Sequence, residues 1–412
     1  MDNTKKNFIW NMVGSTINAF TSLIFMIIVT RINGTDTAGI FTFAFSLACL
    51  FQVISNYSGR TFQVTNNDKN ISDSDFVYNK ISTCFIMLIC VIIYLFAKSY
   101  SSFKNLVIIL FIIYRIIESY VDVYYGIIQK NDSLYKVGIS LTIKSLVCII
   151  IFFIIDYFTK DIIFSIISLL IVNICVFIFY DKKNYKEYYK KQIFNKKNNI
   201  QLLKLGIFIC GFNFLTQYIL NAPKYAIDDI LNNQSQTIYG IISMPATMLI
   251  LCSQFIIQPL LSIITKHIKN NEYLLLRKLT FKIILYVILI GIIGEIGCYF
   301  VGIPFLELIY GISLEKYLLH LMIIIFGATN FGIVFVISSV LIALRKNFVQ
   351  MVFYVIASIS VTIIANTFVS NYNLLGACIL YSTIMILLCA MYLGYFIYTI
   401  KKLEKNNKMI EG

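Results

Sequence analysis

Apolar stretches of about 18–25 residues recur from one end of this chain to the other, and no other feature constrains its fold as tightly. Each is long enough to cross a hydrocarbon core of ~30 Å at 1.5 Å rise per residue. Inside lipid every backbone N–H and C=O must find a partner within the protein, so only helices or closed barrels span. The runs are continuous and rich in Ile, Leu and Phe, without the strict alternation of a barrel strand. They therefore predict helices at 8–30, 38–58, 80–98, 105–128, 134–156, 161–180, 202–222, 238–261, 279–301, 317–343, 348–370 and 375–400. The first follows Lys5 and Lys6 but is too long for the apolar region of a signal peptide and lacks a small-residue cleavage site, so it reads as a retained span. The expected fold is an all-α integral membrane protein of about twelve transmembrane helices.

Composition enters where charge does. Of 412 residues 59% are apolar and 13% charged, about half the charge that a soluble domain carries. The formal net charge of +14 could suggest nucleic acid, but its placement excludes that reading. Twelve spans divide the connecting segments into two sets. One holds the N-terminus, the C-terminal tail and loops such as 181–200 and 262–278, and it carries 26 of the 34 Lys and Arg. The other carries six: Arg31, Lys98, Lys104, Lys160, Lys224 and Lys316. Arg115 and Lys144 fall deep within helices, away from either end. By the positive-inside rule both termini are expected in the cytoplasm of a cytoplasmic-membrane protein, with anionic lipid as a further neighbour of the basic loops. The ten cysteines all lie inside apolar runs with no CxxC, which reads as small core- or lipid-facing side chains and not as disulfides or metal ligands.

The most basic loop, at 181–199, has six spans on either side. It divides the chain into a six-helix bundle at 1–180, a cytoplasmic linker at 181–200, a second six-helix bundle at 201–400 and a tail at 401–412. A weak echo relates the halves: Ala38-Gly39-Ile40 with Thr42 and Ser46 aligns with Tyr239-Gly240-Ile241 with Ser243 and Thr247. Asn18 and Asn213 occupy similar places in the first and seventh spans. Both halves start on the same side, so the repeat is parallel, one of the designs of transporters built around a central cavity.

Ionisable groups in hydrocarbon cost several kcal/mol each, on the order of 2.5–3.5 by insertion scales. The fourth span nonetheless holds Arg115, Glu118 and Asp122, with Tyr125 and Gln129 continuing the same stripe. The fifth brings Lys144. Counted from the inner ends of these spans, Glu118 and Lys144 both lie roughly 15 Å deep, which predicts a Glu118–Lys144 pair across the hairpin. Two readings stay open: an internal brace of mutually neutralised charges, or a cavity lining whose cations meet an anionic substrate while a carboxylate titrates. Glu295 sits among Gly291, Gly294 and Gly297, which are expected to make a close helix contact. Pro223, Pro245 and Pro259 are expected to kink or end the seventh and eighth spans. His267 and His320 stand isolated. No HExxH, GxSxG or Walker loop occurs, and the longest loops are about 20 residues, so neither enzyme activity nor a cofactor or metal is expected.

Several stretches resemble the polysaccharide-repeat-unit flippases (the Wzx-type translocases) of the MATE-like MOP superfamily. They include the segment 11–46, NYSGRTFQVTN at 56–66, YRIIESYVDVYYGIIQKNDSLYKVGIS at 114–140, LNAPKYAID at 220–228, 239–261, GIPFLELIYGISLEKY at 302–317 and NLLGACILY at 373–381. The resemblance implies two six-helix bundles around a cationic cavity. It implies transport of undecaprenyl-pyrophosphate-linked oligosaccharide by alternating access, with proton or sodium antiport, for O-antigen or capsule synthesis. A polysaccharide polymerase and a chain-length protein would be partners. Carried onto this chain, the substrate-binding residues would be Arg31, Arg60, Arg115, Lys144 and Lys224, since Arg and Lys give charge-assisted contacts to pyrophosphate oxygens. Glu118 and Asp122 would serve ion coupling. Arg60, near the cytoplasmic end of the second span, also reads as a positive-inside anchor, and Glu295 departs from the family pattern. A MATE-like antiporter of cationic drugs and a non-transporting scaffold of a polysaccharide assembly complex are the alternative readings. The former would prefer an acidic cavity.

Overall fold

The computed structural model describes residues 3–57, 59–66, 70–257 and 260–411. Among them there is no strand, and the chain forms α1 (Asn3–Asn56), α2 (Gly59–Thr65), α3 (Asp73–Ala97), α4 (Ser102–Lys130), α5 (Leu134–Thr159), α6 (Ile162–Val176) and α7 (Lys182–Tyr185). It continues with α8 (Lys196–Ile230), α9 (Asn233–Ile242), α10 (Met244–Ile257), α11 (Leu261–Lys269), α12 (Tyr273–Gly297), α13 (Ile303–Tyr310), α14 (Leu318–Ala343) and α15 (Asn347–Glu411). Two of these each contain two apolar runs. Gly34, at φ 81° and ψ 177°, interrupts α1 in a region that only glycine enters readily. The chain reverses there: Thr42 Oγ1 donates to Met26 Sδ at 2.9 Å, although sixteen residues of straight helix would hold them roughly 24 Å apart. Asn373 breaks α15 in the same way.

Nine helices among the described residues are long and apolar enough to cross a membrane. Two of the nine, Lys5–Thr65 and Asn347–Lys405, contain these reversals, and α4 is left out because of the charges it carries. The set is consistent with the twelve expected runs, and the all-α membrane fold is borne out. The eighth run is split at Ser243, two residues before Pro245, whose ring denies the helix an N–H. Pro223 lies inside α8 without ending it. Pro259 falls outside the described residues.

Large apolar side chains face outward: Phe96 is 89% exposed and Phe179 79%. Meanwhile Asp156 is wholly buried. That inversion of the soluble pattern is what lipid as solvent demands.

The chain divides into two compact units, Met1–Gln217 and Tyr218–Gly412. In the first, α1 packs closely on α5: a Cβ added at Gly138 would lie 2.2 Å from the Trp10 carbonyl oxygen. Beside this contact sits an aromatic core, with Phe25 and Phe152 ring centroids 4.6 Å apart and Phe41 and Phe111 5.1 Å apart. The segment 182–195 lies back on this unit, Tyr185 stacking on Tyr124 at 4.1 Å and Ser74 Oγ donating to the Lys190 carbonyl. In the second unit α14 is the central helix, packed on α10, α12 and α15. Of the three glycines in α12, Gly291 makes the expected close contact, its virtual Cβ lying 2.4 Å from Thr329 Cγ2, whereas Gly297 faces open space.

Candidate functional site

The first unit carries a buried ionic cluster on α4 and α5. Arg115 and Glu118 are one turn apart on α4 and form an ion pair through Nη1 and Oε2. Lys144, reaching from α5, places Nζ 3.2 Å from Glu118 Oε1. The pair expected from helix depth is therefore present, and both carboxylate oxygens of Glu118 are occupied. Arg115 also donates from Nη2 to Cys49 Sγ at 3.0 Å, and its guanidinium lies 4.5 Å from the centre of the Phe45 ring. Side-chain exposure is 12% for Arg115, 10% for Glu118 and 8% for Lys144. Among the described residues the Arg115 Nε is buried without a hydrogen-bond partner. Two cations against one carboxylate leave the cluster with a formal excess of one positive charge. At this depth the interaction is weakly screened, so an anion entering would be drawn to it.

A second group lies one to two turns further along α4. Arg60 on α2 brings Nε to 3.8 Å from Asp122 Oδ1, with both side chains 29% exposed. Lys80, on α3, is buried and donates from Nζ to the Asn56 carbonyl at 3.3 Å. This places a positive charge on the carbonyl end of α1, where the helix dipole favours it. Tyr125 continues the α4 stripe. Its hydroxyl shares a hydrogen bond with Ser140 Oγ at 2.8 Å and donates to Asp181 Oδ2 at 3.4 Å. Asp181 is 2% exposed, and its other oxygen has no hydrogen-bond partner among the described residues.

The structure thus gathers Arg115, Glu118 and Lys144 into one cluster, and Arg60 with Asp122 into a pair beside it. Arg31 stands exposed three residues before Gly34, and Lys224 follows Pro223 in α8 in the second unit. The sequence reading missed Lys80 and Asp181 as buried charges. For Lys80 a signal existed. Ser72 and Asp75 form a capping box that starts α3 at Asp73, about two turns before the expected start of the span at 80, and S-x-x-D ahead of an apolar run marks such a start. Asp181 had no comparable signal. A π turn, Phe177–Asp181, prolongs the helix and carries the carboxylate inward. Among the described residues no group of His, Cys, Asp and Glu is arranged to hold a metal ion.

A family model described as polysaccharide biosynthesis protein matches residues 4–265, well over half of the chain. The capsular polysaccharide biosynthesis protein CapF of Staphylococcus aureus is 24% identical over 381 residues, covering 90% of this chain and 94% of CapF. Among solved structures, an inward-facing multidrug resistance MATE family transporter of the MOP superfamily aligns with a TM-score of 0.71 at 12% identity, covering 96% of this chain and 99% of that one. The lipid II flippase MurJ in an inward closed conformation gives 0.68 at 16% identity, covering 97% and 91%. At these identities the two structures speak for the fold alone. Family match, relative and fold agree with the resemblance drawn from the residues. The chain belongs to the polysaccharide biosynthesis protein family and has the fold of the MOP-superfamily transporters.

Proposed function

We propose that this protein is a flippase for lipid-linked oligosaccharide repeat units in bacterial surface polysaccharide synthesis, working by alternating access in the cytoplasmic membrane with both termini inside. The observation that carries the reading is the buried Arg115–Glu118–Lys144 cluster in a chain of this family. A pyrophosphate group offers several charged oxygens to the same two cations that hold Glu118. Arg115 presents a planar fork of donors and Lys144 a compact ammonium. On arrival the pyrophosphate displaces Glu118 as their counterion. The freed carboxylate is then a buried charge without a partner, which is costly, so cargo binding and ion binding at Glu118 are coupled through one set of cations. Asp122 and Arg60 repeat the arrangement nearer the chain's more basic side, and Arg31 and Lys224 are further cationic contacts along the route. The chain would work as two six-helix halves, 1–180 and 201–400, joined by 181–200, beside a polymerase and a chain-length protein.

Complementation of a flippase-deficient strain tests this. Wild type is expected to restore surface polysaccharide, while Arg115→Ala and Lys144→Ala at equal membrane levels should reduce it at least about tenfold, the loss of roughly 1.4 kcal/mol of binding. If both variants restore it fully, the cluster is a brace and the substrate route lies elsewhere. If wild type fails across several sugar backgrounds while exporting a cationic dye, the drug-antiporter reading replaces this one.

A further inference from the structure

The second unit has an open cavity of about 580 Å³ at the end where α8 gives way to α9. Three chain reversals meet there: the turn between α8 and α9, the short 3₁₀ turn Glu315–Tyr317 ahead of α14, and the break of α15 at Asn373. The lining combines two kinds of side chain. Tyr317, His320 and Tyr372 supply rings, and Asn232, Ser235 and Asn373 supply short polar groups, over a floor of leucine and isoleucine. No Asp, Glu, Lys or Arg is among the lining residues. The wall itself therefore offers neither a cation for a phosphate nor a carboxylate for a cationic drug.

A sugar ring fits such a wall. Its C–H face is apolar and stacks on an aromatic ring, while its hydroxyls each need a donor or an acceptor. Tyr372 is 57% exposed at the cavity, so its ring face is open to a ligand. The His320 Nδ1 is buried and has no hydrogen-bond partner among the described residues, while its ring packs edge-on to Tyr317 at 5.2 Å. Asn232 uses its side-chain oxygen to accept from the Ser235 N–H at 2.9 Å, capping α9. This holds its carboxamide in a fixed place, with the NH₂ group as a donor. Asn373 adopts φ 51° and ψ −133°, a conformation that costs a residue with a side chain about 1–3 kcal/mol and that collects at ligand-binding positions.

The geometry points to a docking site in this cavity for an uncharged sugar ring of the glycan, separate from the ionic cluster of the first unit. The inference rests on the proposed glycan cargo. In the proposed orientation the cavity opens on the outer face, where a translocated sugar emerges and is held until the next step of polymer assembly.

Saturation-transfer NMR on the full-length protein in detergent tests it. The probe is the free repeat-unit oligosaccharide cut from the surface polysaccharide of the source strain, carrying neither lipid nor phosphate. Wild type is expected to transfer saturation to sugar ring protons. The double variant Tyr372→Ala, Asn373→Gly should bind about tenfold more weakly. The glycine keeps the backbone turn and removes only the carboxamide. His320→Phe keeps the packing on Tyr317, removes the nitrogens and should weaken binding in the same direction. Phe348→Ala, at a residue 75% exposed at the other end of this unit, serves as the unchanged control. Equal transfer in wild type and the double variant, or none in wild type, overturns the site. Complementation run in parallel separates the two ideas. Restored surface polysaccharide without saturation transfer leaves the transport reading standing and removes the sugar site. Variant-sensitive transfer without restored polysaccharide does the reverse.

Discussion

The two units bury different kinds of polarity. Among the described residues the first unit buries Asp75, Lys80, Lys144, Asp156 and Asp181, all ionisable, in addition to amides and hydroxyls such as Gln63, Asn79 and Ser119. The buried polar side chains of the second are amides and hydroxyls, Gln236, Ser253, Thr280, Ser338, Gln350 and Ser358 among them, with no Asp, Glu, Lys or Arg. Both kinds stiffen a helix bundle when satisfied. They differ in what happens when a partner leaves. A stranded amide costs about 1–3 kcal/mol. A stranded charge costs more, and is answered by binding a counterion or a proton. The first unit is therefore built to exchange ions, and the second to keep its shape.

The sharpest test of that difference is removal of Glu118. Glu118→Ala leaves the Arg115 guanidinium and the Lys144 ammonium buried without their shared carboxylate. We expect a loss of about 3–5 kcal/mol in reversible unfolding by detergent titration. The double variant Glu118→Ala, Lys144→Met should recover part of it, because one of the two stranded charges is gone. A loss within about 1 kcal/mol for the single variant would mean that the cluster is already hydrated, and the contrast between units would lapse.

The matching experiment in the second unit is Gln350→Leu. Gln350 is 1% exposed, and its Oε1 accepts from the Ser338 hydroxyl and, at 3.3 Å, from the Tyr392 hydroxyl. Its Nε2 is buried and has no partner among the described residues. The leucine strips two donors of their acceptor but also deletes an unsatisfied donor, so the terms largely offset. The same titration should show a net loss of about 1 kcal/mol. A loss as large as that for Glu118→Ala would show that burial, and not charge, sets the scale.

Much of this was legible in the sequence. The apolar runs gave the helices, and counting depth from the inner ends of the fourth and fifth runs set Glu118 level with Lys144, because helical rise is constant. What stayed hidden depended on local departures from that regularity. Asp181 reads as the first residue of a basic loop until a π turn winds it into the bundle. Asp156 reads as the last residue of a span, yet it is wholly buried, with Ser165 Oγ donating to Oδ1 at 2.8 Å. Lys80 looked like a residue at the membrane surface because apolarity alone marks where lipid begins, whereas the helix begins earlier at its cap.

An effect of similar size to that of Gln350→Leu, but of opposite sign, separates the two reversals that fold a pair of spans back on each other. The first unit uses Gly34, where φ 81° and ψ 177° suit a residue without a side chain. The second uses Asn373, at φ 51° and ψ −133°, close beside Gly376, whose virtual Cβ would lie 1.9 Å from the Phe368 carbonyl oxygen. Asn373→Gly should relieve the local strain of about 1–3 kcal/mol, against an entropy cost in the unfolded chain of about 0.4–1 kcal/mol. The outcome is a net stabilisation on the order of 1 kcal/mol in the same detergent titration. Gly34→Asn, the reciprocal change, should destabilise by a similar amount or more. If both changes were neutral, the two turns would be interchangeable. If Asn373→Gly destabilises instead, the carboxamide makes a contact that outweighs its backbone strain in the empty protein, and the asparagine is there for the fold before it is there for any sugar.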